Sequence, residues 1–505
     1  MYTRAAPSDY DDWEKCGNPG WGSKDLVPLA NKVETFQLDG HPNHGTSGPI
    51  KVSMGALTNV GEEYLRVAAE YDKDRSSTKD SNDFGRCDQY SPWCKYIDGV
   101  SGKRSDAAHS FIYNQVDHNR NLVVRERCRV TRIIFEGQKA VGVEYVDDKV
   151  GRSRGTTSVS KVTASRLIVV CGGTFGSPAI LERSGLGSKE LLQSLGIPVV
   201  VDLPGVGENY NDHNMVFNTY YAAPDADTLD EVFRGTEEEI RPHVEQWMKD
   251  GKGYIAHNGV DAGIKIRPHE KDLKEIGPAF EKRWEDFFMK APDKPLMWTG
   301  ILSAYTKSNP AIPPGKYFST GYVTEYPIST GRVHVTAAQD PYALLDFEPG
   351  FLNEEADLVV LRWAYKNIRE IARRMKYYRG GHPSEHPKFP EGSSAERGIG
   401  KCDGPDDMSS EPIQYSEEDN KAIDDYHRQT VETTWHSLGT CAMKPRSMNG
   451  VVDSSLNVYD VQNLKVADMS IAPFNVGANT YNTALIIGEK AAVIIARELG
   501  ITGVE

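Results

Sequence analysis

The chain runs to 505 residues, enough for two or three domains around a large buried core. With 39% hydrophobic and 26% charged residues its composition is that of a globular protein, and a net charge of −14 disfavours nucleic acid and anionic membranes as partners. No apolar window approaches the length of a membrane span, residues 1–15 hold no apolar signal-peptide core, and seven scattered cysteines without a CxxC pair suit a reducing compartment, so an intracellular soluble chain is expected.

Residues 1–60 are polar and loop-rich, with Gly and Pro punctuation at 18–20 and 44–49. From Asn121, NLVVRERCRVTRIIF and AVGVEYV predict two strands joined at the turn-like Glu136-Gly137-Gln138-Lys139, a hairpin. The run LIVVC after Arg166 is continuously apolar and ends in paired glycines, the pattern of a parallel strand buried on both faces. Residues 216–300 are acidic and lean helical, with amphipathic candidates at 237–250 and 278–290. Strand texture returns over 316–349, a long helix is predicted over 353–378, and the Pro-, Gly- and Ser-rich stretch 380–412 predicts a surface excursion. In the closing helix Leu485, Gly488, Ala492, Ile495 and Leu499 share one face, with Gly500 placed to cap it. Alternation of β and α segments around a buried parallel strand argues an α/β fold, with a separate, partly antiparallel middle lobe.

Two glycine clusters stand out. Gly172 to Gly187 follows the LIVVC strand, and a strand delivered into Gly-Gly and a helix start lets main-chain amides approach a phosphate or a ring. A plain strand–turn–helix connection accounts for the same residues. Leu203 to His213 contains a GxG, but no third glycine and no βαβ unit follow, so it is no dinucleotide fingerprint. His41 with His44, and His382 with His386, have metal-like spacing, yet both pairs sit in Pro/Gly loops without converging cysteines or acids. They are expected to be solvated loop histidines, and no metal is expected. No GxSxG elbow, Walker loop or zinc-knuckle pattern occurs.

In order and spacing, the two glycine segments resemble the second signature of the glucose–methanol–choline (GMC) flavoprotein oxidoreductases and the LPGVGxNxxDH stretch that follows it. Gly102 to Ala108 is similar to the family's GxRxSaa stretch, and residues 316–335 with Asp340-Pro341 to the start of its C-terminal half. The segments DKPLMWTG, IPPGKY, WAYKNIRE and TTWHSLGTC resemble the fungal alcohol (methanol) oxidase branch. The resemblance implies a Rossmann-like FAD-binding domain over 1–215, an α+β substrate-binding domain with an antiparallel sheet over 216–425, and a return to the FAD-binding domain over 426–505. It also implies a flavoprotein that oxidises short primary alcohols such as methanol and ethanol to aldehydes with dioxygen, releasing hydrogen peroxide.

Oxidising an alcohol requires a base within reach of the hydroxyl and a cofactor that accepts hydride. Histidine suits the base. The resemblance gives that role to His436, although on local grounds a histidine among Trp and Leu is more often a satisfied core histidine than a base. It gives Asn479 the part of oxyanion partner and flavin neighbour, where an N-cap is the ordinary alternative. By the same resemblance Gly173, Ser177, Pro178 and Thr480 belong to the cofactor site. Asp468 lies near the ribityl chain and pyrophosphate, though a strand-end turn residue reads the same way. Val130 contacts adenine through its main chain, though its side chain fits a core position. Trp435 narrows the substrate pocket, with Met1 against it, where a core aromatic is the alternative.

The sequence departs from the family in lacking the strand–GxGxxG–helix unit that cradles the FAD pyrophosphate. Three alternatives stay open: a longer gene product, weak flavin binding, or an inactive remnant unable to hold FAD. A GMC dehydrogenase using an acceptor other than dioxygen is the rival enzyme. The family suggests peroxisomes and homo-oligomers, but the end Gly503-Val504-Glu505 is no peroxisomal tripeptide, leaving the cytoplasm.

Overall fold

The computed structural model describes residues 1–85, 87–147, 159–307, 309 and 311–504; Glu505, the last residue of the tripeptide considered above, lies outside them. Its centre is an eight-stranded sheet whose order is Tyr378–Gly381, Asn214–Ala222, Tyr317–Thr324, Met297–Leu302, Val260–Ile266, Gln89–Pro92 and Ser76–Ser77, with Glu432–Thr433 added beside Asn214–Ala222. The four long central strands pair antiparallel, as expected of the middle lobe. Helix Glu355–Ala372 lies on this sheet and buries Leu358, Val359, Leu361, Trp363 and Ile368 in a core shared with Val60 and Tyr64 of helix Asn59–Tyr71.

A second core joins the chain's two ends. Tyr10, Trp13, Trp21 and Leu26 from the first segment pack with Leu464, Val466, Ile486 and Ile487 from the last. The parallel pair of Ile168–Val170 and Leu464–Val466 runs beside them. The antiparallel ribbon of Cys128–Glu136, Lys139–Asp147 and Val159–Thr163 adjoins it, turning at Gly137 with φ +61°. No helix among the described residues is long and apolar enough to cross a membrane.

Several sequence expectations are met in detail. Helix Glu237–Asp250 begins with a Thr236/Glu239 capping box and ends at Gly251 in the left-handed conformation. Gly500, at φ +71°, ends the last helix: its N–H bonds Arg497 O at 3.1 Å and Ile501 N–H bonds Ala496 O at 2.8 Å.

Others are corrected. The first ribbon strand starts at Cys128, not Asn121: residues 121–127 are exposed or half-buried loop and turn. The segment 216–300, read as helical, contributes three central strands, since the sheet's contacts override acidic local composition. Ile168 and Val170 are buried but Val169 is 36% exposed, so that strand is covered on one face only. The last helix buries Asn482, Thr483, Ile486, Ile487 and Ala491, whereas the stripe of Leu485, Gly488, Ala492 and Ile495 is half-buried or exposed. His44 and His386 are not solvated. His44 is buried between Glu34 and Asp80, at 3.0 and 2.8 Å, and His386 donates from Nε2 to Thr219 O at 3.1 Å and is bonded through Nδ1 to Tyr365 OH at 3.2 Å. Within 380–412, His386, Glu385 and Ala395 are buried, so that stretch packs back onto helix Glu355–Ala372 through the Arg369 guanidinium.

A row of glycines crosses the sheet. Gly263 faces Gly300, which faces Gly321. A Cβ on Gly300 would lie 2.5 Å from Trp298 Cζ2, and one on Gly321 2.5 Å from Phe217 Cε1. The trough seats Trp298 and Phe217, which pack with Trp93, Met215 and Met1. Gly300→Ala overpacks this trough and is expected to cost about 1–3 kcal/mol, read as a lower urea midpoint. Wild-type stability would show that the trough has room to spare.

Candidate active site

Gly205 and Gly207 bring the chain close to its neighbours: a Cβ would come within 1.9 Å of Asn449 O at the first and 2.4 Å of Val333 O at the second. They are packing glycines. Beyond them the segment delivers Asp212 and His213 to the start of the Asn214–Ala222 strand, both buried. The Asp212 carboxylate accepts from Thr433 Oγ1 at 2.5 Å, Thr434 Oγ1 at 3.2 Å, Ser437 Oγ at 3.0 Å, Tyr210 OH at 3.1 Å and the His436 amide at 3.1 Å. Charge-assisted bonds of this kind are worth about 1.5–3 kcal/mol each. Four of the five come from residues 433–437 and fix the loop that carries His436. Within that loop Trp435 sits at φ +59°, a conformation that costs a bulky residue of order 1–3 kcal/mol and that turns its ring outward to 79% exposure. It is no core aromatic.

The histidine tautomers follow from their partners. His213 Nε2 lies 2.9 Å from Val476 O, an acceptor, and must carry a hydrogen. Burial, the first cause, holds His213 below its ordinary pKa, so the ring is neutral and its Nδ1 is bare. His213 Nδ1 is 2.8 Å from His436 Nδ1, which therefore donates. Burial, His213 and the amino terminus press the His436 pKa well below its usual value, so this ring too is neutral. Its Nε2 is left as an acceptor, taking a hydrogen from Asn479 Nδ2 at 2.9 Å.

Asn479 is held from its other side. Thr3 Oγ1 donates to Asn479 Oδ1 at 2.9 Å and accepts from the Asn479 amide at 2.8 Å. The amide orientation is thus set, with Nδ2 toward His436. Thr480, not Asn479, is the N-cap of helix Tyr481–Glu498, and the ordinary capping role is excluded for Asn479.

His436, Asn479, Thr480, Trp435 and Met1 all line one cavity of about 1320 Å³. Trp435 and Ala484 also line a second, of about 650 Å³, with Gly173, Asp468, Phe175, Tyr210 and Phe347. Gly173 takes φ +73°, and nothing lies within 4 Å of where its Cβ would be. The main chain there is open to close approach by a ring or phosphate. Asp468 accepts from the Gly173 amide at 2.9 Å and from Ser177 Oγ at 2.5 Å, tying the glycine turn to the segment after the Leu464–Val466 strand. It also caps the short helix Met469–Ile471, so the turn-residue role holds as well. This arrangement fits a flavin: two neighbouring cavities that share Trp435 and Ala484, a bare glycine turn, an acidic residue beside it and a helix N-terminus.

The structure therefore brings His436, Asn479, Thr480, Trp435, Met1, Gly173 and Asp468 to two neighbouring cavities that share Trp435 and Ala484. Ser177 and Pro178 are buried beneath the glycine turn, and Val130 is half-buried on the Cys128–Glu136 strand, outside both cavities. Sequence reasoning missed Thr3, Asp212 and His213. The Asp-His pair closing the LPGVG segment was the available signal; Thr3 gave none.

The GMC oxidoreductase family matches over residues 1–215 and again over 327–488. The alcohol oxidase of Pichia angusta is 38% identical, the match covering 100% of this chain and 82% of the relative. That of Candida boidinii is also 38% identical with the same coverage. Among solved structures, an FAD-dependent oxidoreductase from Chaetomium thermophilum superposes with a TM-score of 0.79 at 22% identity, over 99% of this chain and 85% of that one. The chain belongs to the GMC oxidoreductase family, whose members are FAD-dependent flavoproteins.

Proposed function

We propose that this chain is an FAD-dependent alcohol oxidase, taking short primary alcohols such as methanol and ethanol to aldehydes and dioxygen to hydrogen peroxide. The observation that carries the proposal is the pair of His436 Nε2 and Asn479 Nδ2 at 2.9 Å, its tautomer and amide orientation both fixed, opening onto the larger cavity. Identity of 38% to alcohol oxidases over the whole chain supports the choice within the family; an oxygen-dependent choline dehydrogenase of Klebsiella pneumoniae is 29% identical over 97% of the chain.

Bound FAD supplies the hydride acceptor. Gly173, Asp468, Asn479 and Thr480 would hold it, with Ser177 and Pro178 supporting the turn and Val130 at the adenine end. An alcohol oxygen entering beside the pair takes the Asn479 amide hydrogen in place of His436 Nε2 and yields its own proton to that nitrogen. The amide then faces the developing negative charge, as an oxyanion donor does. Because burial keeps His436 neutral, the base is ready at neutral pH. Trp435 and Met1 flank this pair and set how much carbon the site admits.

The test is peroxide formation and oxygen uptake by the purified chain after loading with FAD and gel filtration, with the flavin absorbance read on the same sample. His436→Gln is expected to keep the flavin and lose about 10²–10⁴-fold in kcat/KM. Asn479→Ala is expected to lose about 10²–10³-fold in kcat. Dye reduction without oxygen uptake would identify a dehydrogenase instead. A colourless wild type would refute the flavin assignment.

A further inference from the structure

Below the base, on the side away from the cavity, lies a second polar group that the reaction as described does not use. Glu325, directly after the Tyr317–Thr324 strand, is 3% exposed, and among the described residues its Oε2 has no hydrogen-bond partner. That oxygen is 3.5 Å from His213 Nε2. An orphaned carboxyl oxygen in so dry a place calls for an explanation beyond stability, since burying it unpaired is costly. His213 in turn is 2.8 Å from His436 through the other side of its ring. Two imidazoles and a carboxyl thus stand in file from the cavity into the protein, each buried, the last step being a 3.5 Å gap that no hydrogen bond spans while His213 Nε2 donates to Val476 O.

We infer that Glu325 is a proton store for this site, filled from His436 through His213. The inference rests on the alcohol-oxidising assignment. The transfer balances as three bonds broken and three made. The alcohol O–H breaks as His436 Nε2–H forms. His436 Nδ1–H then breaks as His213 Nδ1–H forms, and His213 Nε2–H, turned from Val476 O across the 3.5 Å gap, breaks as Glu325 Oε2–H forms and donates back to the bare Nε2. Each ring gives up one proton and receives one, so both stay neutral while the charge lost by the substrate hydroxyl is balanced at Glu325. Oxidation of the alcohol releases two electrons and two protons, and dioxygen takes up the same to become hydrogen peroxide. A proton stored on Glu325 returns by the same file in the second half of the cycle, reversing each bond change and restoring the starting tautomers. The dry interior keeps it from exchanging with solvent meanwhile.

The surroundings suit a carboxyl that both holds and releases a proton. Burial is the main influence and pushes Glu325 up to about 8; Lys265, from the Val260–Ile266 strand, opposes it, and Asp9, from helix Pro7–Lys15, reinforces it. Tyr326 is its chain neighbour, and Lys294 faces Asp9 rather than Glu325. Lys265 is itself buried, its Nζ donating to Arg4 O at 2.5 Å, with Cys87 and Asp80 beyond. The carboxyl therefore carries its proton below about pH 8 and is an empty acceptor above it, so the file takes up the substrate proton only above that pH.

Infrared-monitored pH titration of the whole chain, with and without FAD, tests this. The wild type should show a buried carboxylic-acid carbonyl band that disappears with a midpoint near pH 8 and is missing in Glu325→Gln. Lys265→Gln should move the midpoint upward, because the ammonium that favours the carboxylate is gone. In turnover, wild-type kcat should rise through the same pH, and Glu325→Gln should be pH-flat and roughly tenfold slower above it. A band that persists in Glu325→Gln, or a wild type with no such band above pH 6, overturns the store. If Glu325→Gln does not fold, the wild-type and Lys265→Gln titrations decide alone. A wild type that titrates as stated yet oxidises no alcohol overturns the functional assignment on which the store depends, whereas turnover without the band overturns the store alone.

Discussion

The hydrogen bond between His213 and His436, ring to ring at 2.8 Å, is the contact on which the rest of the site depends. It joins the entry of the central sheet to the loop after its last strand, and its direction decides which nitrogen of His436 is free. One carbonyl, Val476 O, starts the sequence of donors and acceptors, and Asn479 ends it. Reverse any one bond and the lone pair would point into the protein instead of into the cavity. Because both rings are buried, a broken link between them would leave an unsatisfied polar group in a dry place, so the arrangement is rigid as well as directional.

Around that contact the chain gathers its distant parts. Thr3 orients Asn479 across 476 residues, and Asp212 holds the His436 amide across 224. The second hydrophobic core, shared by the first and last segments, makes these long-range bonds feasible by bringing helices Pro7–Lys15, Ser23–Val33 and Tyr481–Glu498 together. Trp435 shows what the site costs the fold. A large apolar ring is held in the left-handed region and largely in solvent, where neither packing nor backbone preference favours it. That strain is retained at the point where the two cavities meet.

Much of this was legible before the structure, but unevenly. Gly172 to Gly187, His436 and Asn479 are local signals: each announces itself within a few residues, and a resemblance can carry it. The hairpin at 136–139, the helix at 237–250 and the cap at Gly500 are local too, set by turn and capping chemistry. What escaped depends on contacts between residues far apart in sequence. Nothing near Glu325 or Thr3 hints at their partners. Periodicity found a stripe on the last helix but not which stripe would be buried, since small residues at 488 and 492 mimic a packing face and are left open. The acidic texture of 216–300 suggested helices, and three central strands appeared because an aromatic-filled glycine trough outweighs local preference. His44 and His386 were placed in solvent by their loops, though carboxylates and hydroxyls recruited from elsewhere bury them.

The most direct test of this account is the protonation of the two active-site rings, read by two-bond ¹⁵N–¹H correlation on histidine-labelled protein at neutral pH. The account predicts that His436 is neutral, with hydrogen on Nδ1 and Nε2 bare, and that His213 carries its hydrogen on Nε2. Finding His436 protonated at Nε2, or doubly protonated, would contradict it, because no free lone pair would then face the cavity.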